Sequence, residues 1–147
     1  MAQNGFMDVS PENTTAGDLL VSLGREGKLI YLLPDDSLQR AAAIFREHGI
    51  SQLPVVENGR MIGVVQEITI VHAQHSGLNS RSVSLREVMA RPLPQVDVGV
   101  LLEEVYRLLL GGNSAVTVTR DGFLAGLITR ADLMDFYERV RKAEEKQ

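Results

Sequence analysis

The sequence predicts an α/β (α+β) fold in which two pseudo-twofold-related βαββα motifs pack into one module. Three observations predict it: landmarks that recur at a fixed offset, apolar spacing that switches between helix and strand periods, and two dipeptides favoured in tight hairpins. Gly49, Ser51, Val55, Asn58-Gly59 and Gly63 return 63 positions later as Gly112, Ser114, Val118, Asp121-Gly122 and Gly126. Leu38 is paired with Leu101 on the same count. A recurrence of this length marks one supersecondary unit used twice.

Each copy opens on a short capped helix. Thr15 and Asp18 ahead of Leu19 and Leu20 answer Ser84 and Glu87 ahead of Val88 and Met89, now at an offset of 69, so the first copy carries six extra residues between Val21 and Leu29. An extended segment follows, then an amphipathic helix. Leu38, Ala41, Ala42 and Phe45 share one helical face, and Gly49 stands where a left-handed cap belongs. Leu101, Leu102, Val105, Leu108 and Leu109 repeat that face before Gly111 and Gly112. Strands at 52–57 and 115–120 enter the Asn-Gly and Asp-Gly turns and return at 61–65 and 124–128. Neither copy has enough helix to cover a three-stranded sheet on both faces, so the two are expected to pack together. The domain reading is an N-terminal tail over 1–14, a repeat over 15–76, a polar linker over 77–82, a repeat over 83–137, and a charged helix end over 138–147.

Composition removes whole classes of function. The 147 residues are 44% hydrophobic and 23% charged, an ordinary globular balance. Lys and Arg number 15 against 19 Asp and Glu, a net charge of -4 that offers a polyanion no attractive field, so no nucleic-acid partner is expected. The absence of Cys excludes disulfides, thiolate metal sites and cysteine nucleophiles. Apolar runs fall far short of the roughly 18 residues that span a bilayer, and no signal-like start is visible. No membrane association is expected, and a cytoplasmic location is.

Catalytic constellations are missing: there is no nucleophile elbow, no phosphate-cradling glycine loop and no evident carboxylate pair, so no catalytic residue is assigned. His72 and His75 lie three apart on one helix but lack a third ligand, so no metal residue is assigned either. What stands out is Thr129 with Asp132, at the start of the last helix. A hydroxyl and a carboxylate three residues apart form a capping box, and from the residues alone that role suffices.

Taken in order and at this spacing, Gly49-Ile50-Ser51-Gln52-Leu53-Pro54-Val55-Val56, Gly63-Val64-Val65 and the stretch Gly126 to Leu133 make the chain resemble a tandem CBS-domain pair, or Bateman module, over nearly its whole length. It is most similar to the C-terminal regulatory region of bacterial cystathionine β-synthase, through Thr15 to Leu20, Ser51 to Val55, Val65-Gln66-Glu67 and Val88-Met89 ahead of Pro92-Leu93-Pro94. Met1 to Phe6 look like the handover from that enzyme's catalytic domain. The resemblance implies a regulatory fragment of a pyridoxal-phosphate (PLP) enzyme, the PLP being held outside these residues; a stand-alone CBS-pair protein is the other reading.

The resemblance also implies a site. Asp132, with Thr129, would hold the ribose of an adenosyl ligand, because a carboxylate is a double acceptor suited to two vicinal hydroxyls. Ile30 and Ile50 would sandwich the adenine, and backbone groups around Ser51 and Gln52 would read its edge; both isoleucines also fit a plain core. In the sister position Gln66 and Thr69 replace the Thr and Asp, and Asn113 replaces Ile50, so one site per chain is expected. S-adenosylmethionine is the favoured effector, since no basic cluster flanks the motif; AMP or ATP comes next, with Arg130 or Arg46 for the phosphates. A homodimer is expected through apolar helix faces that include Leu133, Met134, Phe136, Ile68 and Val71. A ligand-free dimerisation scaffold is the alternative.

Overall fold

A computed structural model describes residues 12–25 and 29–145. The expected handover segment, Met1 to Phe6, most of the tail over 1–14, and part of the stretch that holds the six-residue insertion lie outside the described residues. Two compact units emerge: the first takes the described residues up to Leu29 with those from Pro94 onward, and the second takes Ile30–Leu93. The leading helix of each sequence repeat therefore belongs to the unit that holds the other repeat's hairpin.

In the second unit, α1 (Leu38–His48) precedes the antiparallel pair β1 (Gln52–Glu57) and β2 (Arg60–Gln66), then α2 (Glu67–His75) and the single turn α3 (Leu85–Val88). The expected first strand is reduced to one parallel bridge, Leu32 to Val55. Leu38, Ala41, Phe45, Leu53, Val55, Val65, Ile70 and Leu85 form its core. The segment read as a linker is ordered into the unit: the Gln39 N–H donates to the Ser80 carbonyl at 3.0 Å, and Asn79 closes a turn on Arg81 and Ser82.

In the first unit, α4 (Ala16–Ser22) packs with β3 (Gln95–Asp97), α5 (Leu102–Leu110), β4 (Ala115–Arg120), β5 (Phe123–Thr129) and α6 (Arg130–Glu145). β4 is central, parallel to β3 and antiparallel to β5. Ala115, Val116, Thr117 and Val118 are consequently all buried, and the strand shows no alternation. Leu19, Leu20, Val105, Ile128 and Phe136 fill the core around it.

The duplication holds bond by bond. Ala16 and Gly17 donate backbone hydrogen bonds to Val100 and Val98, as Leu85 and Arg86 do to Asp36 and Pro34; Leu102 donates to Thr14 as Leu38 does to Val83. These pairs place Leu38 opposite Leu102, one position later than the sequence count. Leu101 is accordingly not a core residue: it is the N-cap of α5 and 50% exposed, whereas Leu102 is 1% exposed. The slip is absorbed before the hairpin, because Gly49 and Gly112, both at positive φ, keep the offset of 63.

Both hairpin turns have positive φ at their two central residues, 56° and 80° at Asn58 and Gly59, 54° and 84° at Asp121 and Gly122. That is the twist a two-residue turn needs to match its strands, and it explains the dipeptides. Gly63 and Gly126 serve another purpose. A Cβ on Gly126 would lie 2.9 Å from both terminal carbons of Leu20; on Gly63 it would lie 2.5 Å from the Met89 sulfur and 2.9 Å from the Ala90 carbonyl oxygen. Each glycine makes room for the end of a leading helix.

Candidate functional site

β5 ends at Thr129 and α6 begins at Arg130, which puts Asp132 in the first helical turn. Its carboxylate there faces free N–H groups and the positive end of the helix dipole. The capping box is formed: Thr129 N–H donates to Asp132 Oδ2 at 2.8 Å, and Asp132 N–H donates to Thr129 Oγ1 at 3.2 Å. Unlike the corresponding acids Asp18 and Glu87, Asp132 is buried, with 3% of its surface exposed.

A second group meets this carboxylate. Arg25 Nη1 donates to Asp132 Oδ2 at 2.7 Å, an ion pair between residues 107 apart in sequence. The backbone of Arg25 is fixed by the way α4 stops. Gly24 takes a left-handed φ of 69°, its N–H donates to the Val21 carbonyl, and the Arg25 N–H donates to the Leu20 carbonyl. This is the Schellman arrangement, which closes a helix end. Arg139 Nη1 donates to the Ser22 carbonyl at 3.0 Å, tying α6 to the same terminus. Sequence reasoning missed Arg25; the helix stop at Gly24 was readable, but the residue it faces was not.

Thr129 and Asp132 are thus brought together in the first unit, while the other expected site residues belong to the second. Ile30 and Ile50 are half-buried and pack against the edge of that unit's core. Ser51 is exposed. Gln52 opens β1, and its Oε1 accepts from Gln66 Nε2 at 2.9 Å. In the sister position Gln66 N–H donates to Thr69 Oγ1 at 3.2 Å, and Asn113 Nδ2 donates to the Leu108 carbonyl at 2.8 Å. No carboxylate takes part in either arrangement.

Arg130 and Arg46 are exposed. Arg130 lines a groove of about 630 Å³ between α5 and α6 with Tyr106, Leu110, Met134 and Tyr137. Burial, then the charge of Glu103, raises the Tyr137 phenol above its usual range. Leu133 and Phe136, expected on an outward face, are core residues at 6% and 3% exposure; Met134, Ile68 and Val71 are the exposed ones. The helical period decides this, since Leu133, Phe136 and Val140 fall on the stripe that faces the sheet. The charged end of α6 is accordingly anchored through Val140. His72 and His75 are exposed on α2, and no group of three metal-ligating side chains occurs among the described residues. No helix among them is long and apolar enough to cross a membrane.

A chain built as two like α/β units, each containing the leading helix of the other repeat, is a tandem module. The CBS domain family profile matches residues 12–76 and again 85–139. The chain belongs to the CBS domain family and carries the domain as a pair. An inosine-5'-monophosphate dehydrogenase of Korarchaeum cryptofilum (strain OPF8) is 26% identical over 107 residues, 71% of this chain and 21% of that protein. The chain spans between 21% and 54% of the length of the curated relatives it matches. Among solved structures, a putative acetoin utilization protein (AcuB) from Vibrio cholerae is 21% identical with a TM-score of 0.79, over 90% of this chain and 96% of that one. CBSX2 in complex with AMP is 22% identical with a TM-score of 0.73, over 87% and 98%.

Proposed function

We propose that this CBS pair is a non-catalytic, cytoplasmic regulatory module that senses an adenosyl ligand at one site per chain. The observation that carries the reading is the state of Asp132. A buried carboxylate whose Oδ1 accepts no hydrogen bond among the described residues is a costly thing to keep, and a ribose diol satisfies it. Thr129 would hold that acid in place, while Ile30, Ile50, Ser51 and Gln52 would contact the adenine. The AMP held by CBSX2 supports the ligand class. In this reading the ligand stabilises one arrangement of the module, and an attached catalytic domain responds by no more than the ligand's differential affinity for the two arrangements. A PLP-dependent cystathionine β-synthase is the parent enzyme proposed from the sequence resemblance, with a stand-alone CBS-pair protein as the second candidate.

Calorimetric titration with AMP, ATP and S-adenosylmethionine tests this directly. One of them is expected to bind with a stoichiometry of one per chain, and at a hundredfold excess over its Kd to add about 2.7 kcal/mol of stability. Two sites per chain, or none, would reject the reading. A specific observation favours a second function: the capping box is closed, so Thr129 and Asp132 already have structural work, as a ligand-free dimerisation scaffold requires. A homodimer through exposed apolar side chains is part of either reading. Leu110 and Met134, 71% and 68% exposed, are its proposed centre. Leu110→Glu with Met134→Glu is expected to halve the mass measured by light scattering; an unchanged mass would move the contact elsewhere.

A further inference from the structure

We infer that Arg25 is the residue that selects a phosphate-bearing ligand at the Asp132 site, an inference that rests on the adenosyl-sensing reading above. The preference for S-adenosylmethionine drawn from sequence depended on no further basic group joining Arg130 near Thr129 and Asp132 to make a cluster. Folding supplies one, at 2.7 Å from Asp132 Oδ2.

Two features make Arg25 more than a partner that neutralises a buried acid. The first is its spare capacity. A guanidinium has five N–H donors in a rigid fork. Nη1 of Arg25 is on Asp132, and among the described residues no other acceptor meets the remaining donors. The side chain is 51% exposed although its partner is 4% exposed, so Nη1 is spent on the acid while much of the side chain remains open to solvent. The second feature is position. The Schellman closure of α4 fixes the backbone of Arg25, so the side chain starts from a defined point and its ion pair sets the guanidinium against the carboxylate.

Asp132 is left complementary, with Oδ2 taken by Thr129 N–H and Arg25 while Oδ1 is open. A ribose hydroxyl donating to Oδ1 leaves the 5' substituent of the same sugar about one sugar's width from the acid, a gap that the guanidinium of Arg25, lying against Oδ2, can span. A phosphate there meets the outward donors of Arg25 in bidentate fashion. A sulfonium gains nothing from Arg25, which is itself a cation and already balances the charge of Asp132. Arg25 lies in the stretch Val21 to Leu29, within which the first repeat carries six residues more than the second. Arg25 and Asp132 belong to the same compact unit, so the selector and the acid fold together.

The test compares AMP, adenosine and S-adenosylmethionine by calorimetry on the whole chain and on Arg25→Gln, with Asp132→Asn as reference. The wild type is expected to bind AMP roughly tenfold to a hundredfold more tightly than adenosine, the range of charge-assisted hydrogen bonds. Arg25→Gln is expected to bring AMP and adenosine within about threefold of each other while adenosine affinity changes little. Arg25→Lys, a point charge without the fork, should restore only part of the preference. If the AMP preference survives in Arg25→Gln, or if that variant weakens both ligands equally, the assignment fails while the Asp132 site stands, provided Asp132→Asn weakens binding of both by tenfold or more. If the wild type binds none of the three, the sensing reading itself falls. A half-exposed ion pair contributes little to folding, and a thermal melt of Arg25→Gln within a few degrees of wild type verifies that the comparison is between folded proteins.

Discussion

Asp132→Ala is expected to abolish adenosyl-ligand binding and, separately, to lower the stability of the ligand-free protein by roughly 1–3 kcal/mol. The two losses have different origins. Without ligand, the variant leaves the Thr129 N–H without its acceptor at the start of α6 and leaves Arg25 without its partner. Arg25 is half exposed and turns to water; the Thr129 N–H, at a partly buried helix start, bears most of the cost. Asp132→Asn separates the effects, because an amide oxygen still accepts from Thr129 N–H while the charge that strengthens a ribose contact is gone. The expected pattern is a melt near wild type with binding weakened by tenfold or more. Unchanged binding in Asp132→Asn would reduce the acid to a cap. Thermal melts with and without AMP read both quantities in one experiment.

Gly63→Ala is expected to be the more damaging of two matched substitutions, costing on the order of 3 kcal/mol, with Gly126→Ala nearer 1 kcal/mol. At Gly126 the added methyl meets only the branched end of Leu20 at 2.9 Å, and a rotamer change or a smaller residue relieves it. Leu20→Val on top of Gly126→Ala should therefore recover stability. At Gly63 the methyl meets the Met89 sulfur at 2.5 Å and also the Ala90 carbonyl oxygen at 2.9 Å. That oxygen cannot retreat, since it accepts from Val64 N–H while Ala90 N–H donates to the Val64 carbonyl. Met89→Ala should accordingly fail to rescue Gly63→Ala. Equal costs at the two glycines, or rescue at both, would mean that the leading helices do not set these positions.

Much of the fold was legible because it depends on local physics. The two turn dipeptides, the glycine at the end of α1 and the Ser or Thr with an acid at helix starts all satisfy backbone geometry within a few residues, and all occur where the sequence places them. The one-residue slip at Leu101 escaped notice because consecutive leucines at 101 and 102 fit either register, and only the hydrogen bonds of Thr14 and Leu102 choose between them. The orientation of Leu133 and Phe136 was missed for a similar reason: an apolar stripe tells which residues share a face but not what that face meets. The site was legible to the extent that it is local. Thr129 and Asp132 form the contact their spacing suggests, whereas Arg25 reaches the same carboxylate across 107 residues, and no local rule predicts that pairing. The absence of a dense basic cluster around the motif in sequence was thus a poor guide to the charge around it in space.

The exchange of leading helices bears on how the chain is made. Ile30–Leu93 is continuous in sequence, so a polypeptide leaving the ribosome can close this middle portion as soon as it has emerged. The other unit draws Leu19 and Leu20 from the beginning and Ile128 and Phe136 from near the end, so its apolar surface must wait, exposed, for almost the whole chain. Joining such distant segments is slow because the loop-closure entropy is spent before the contacts form. Amide protection during refolding should therefore appear first between Ile30 and Leu93, with the acid-bearing start of α6 among the last places to be secured.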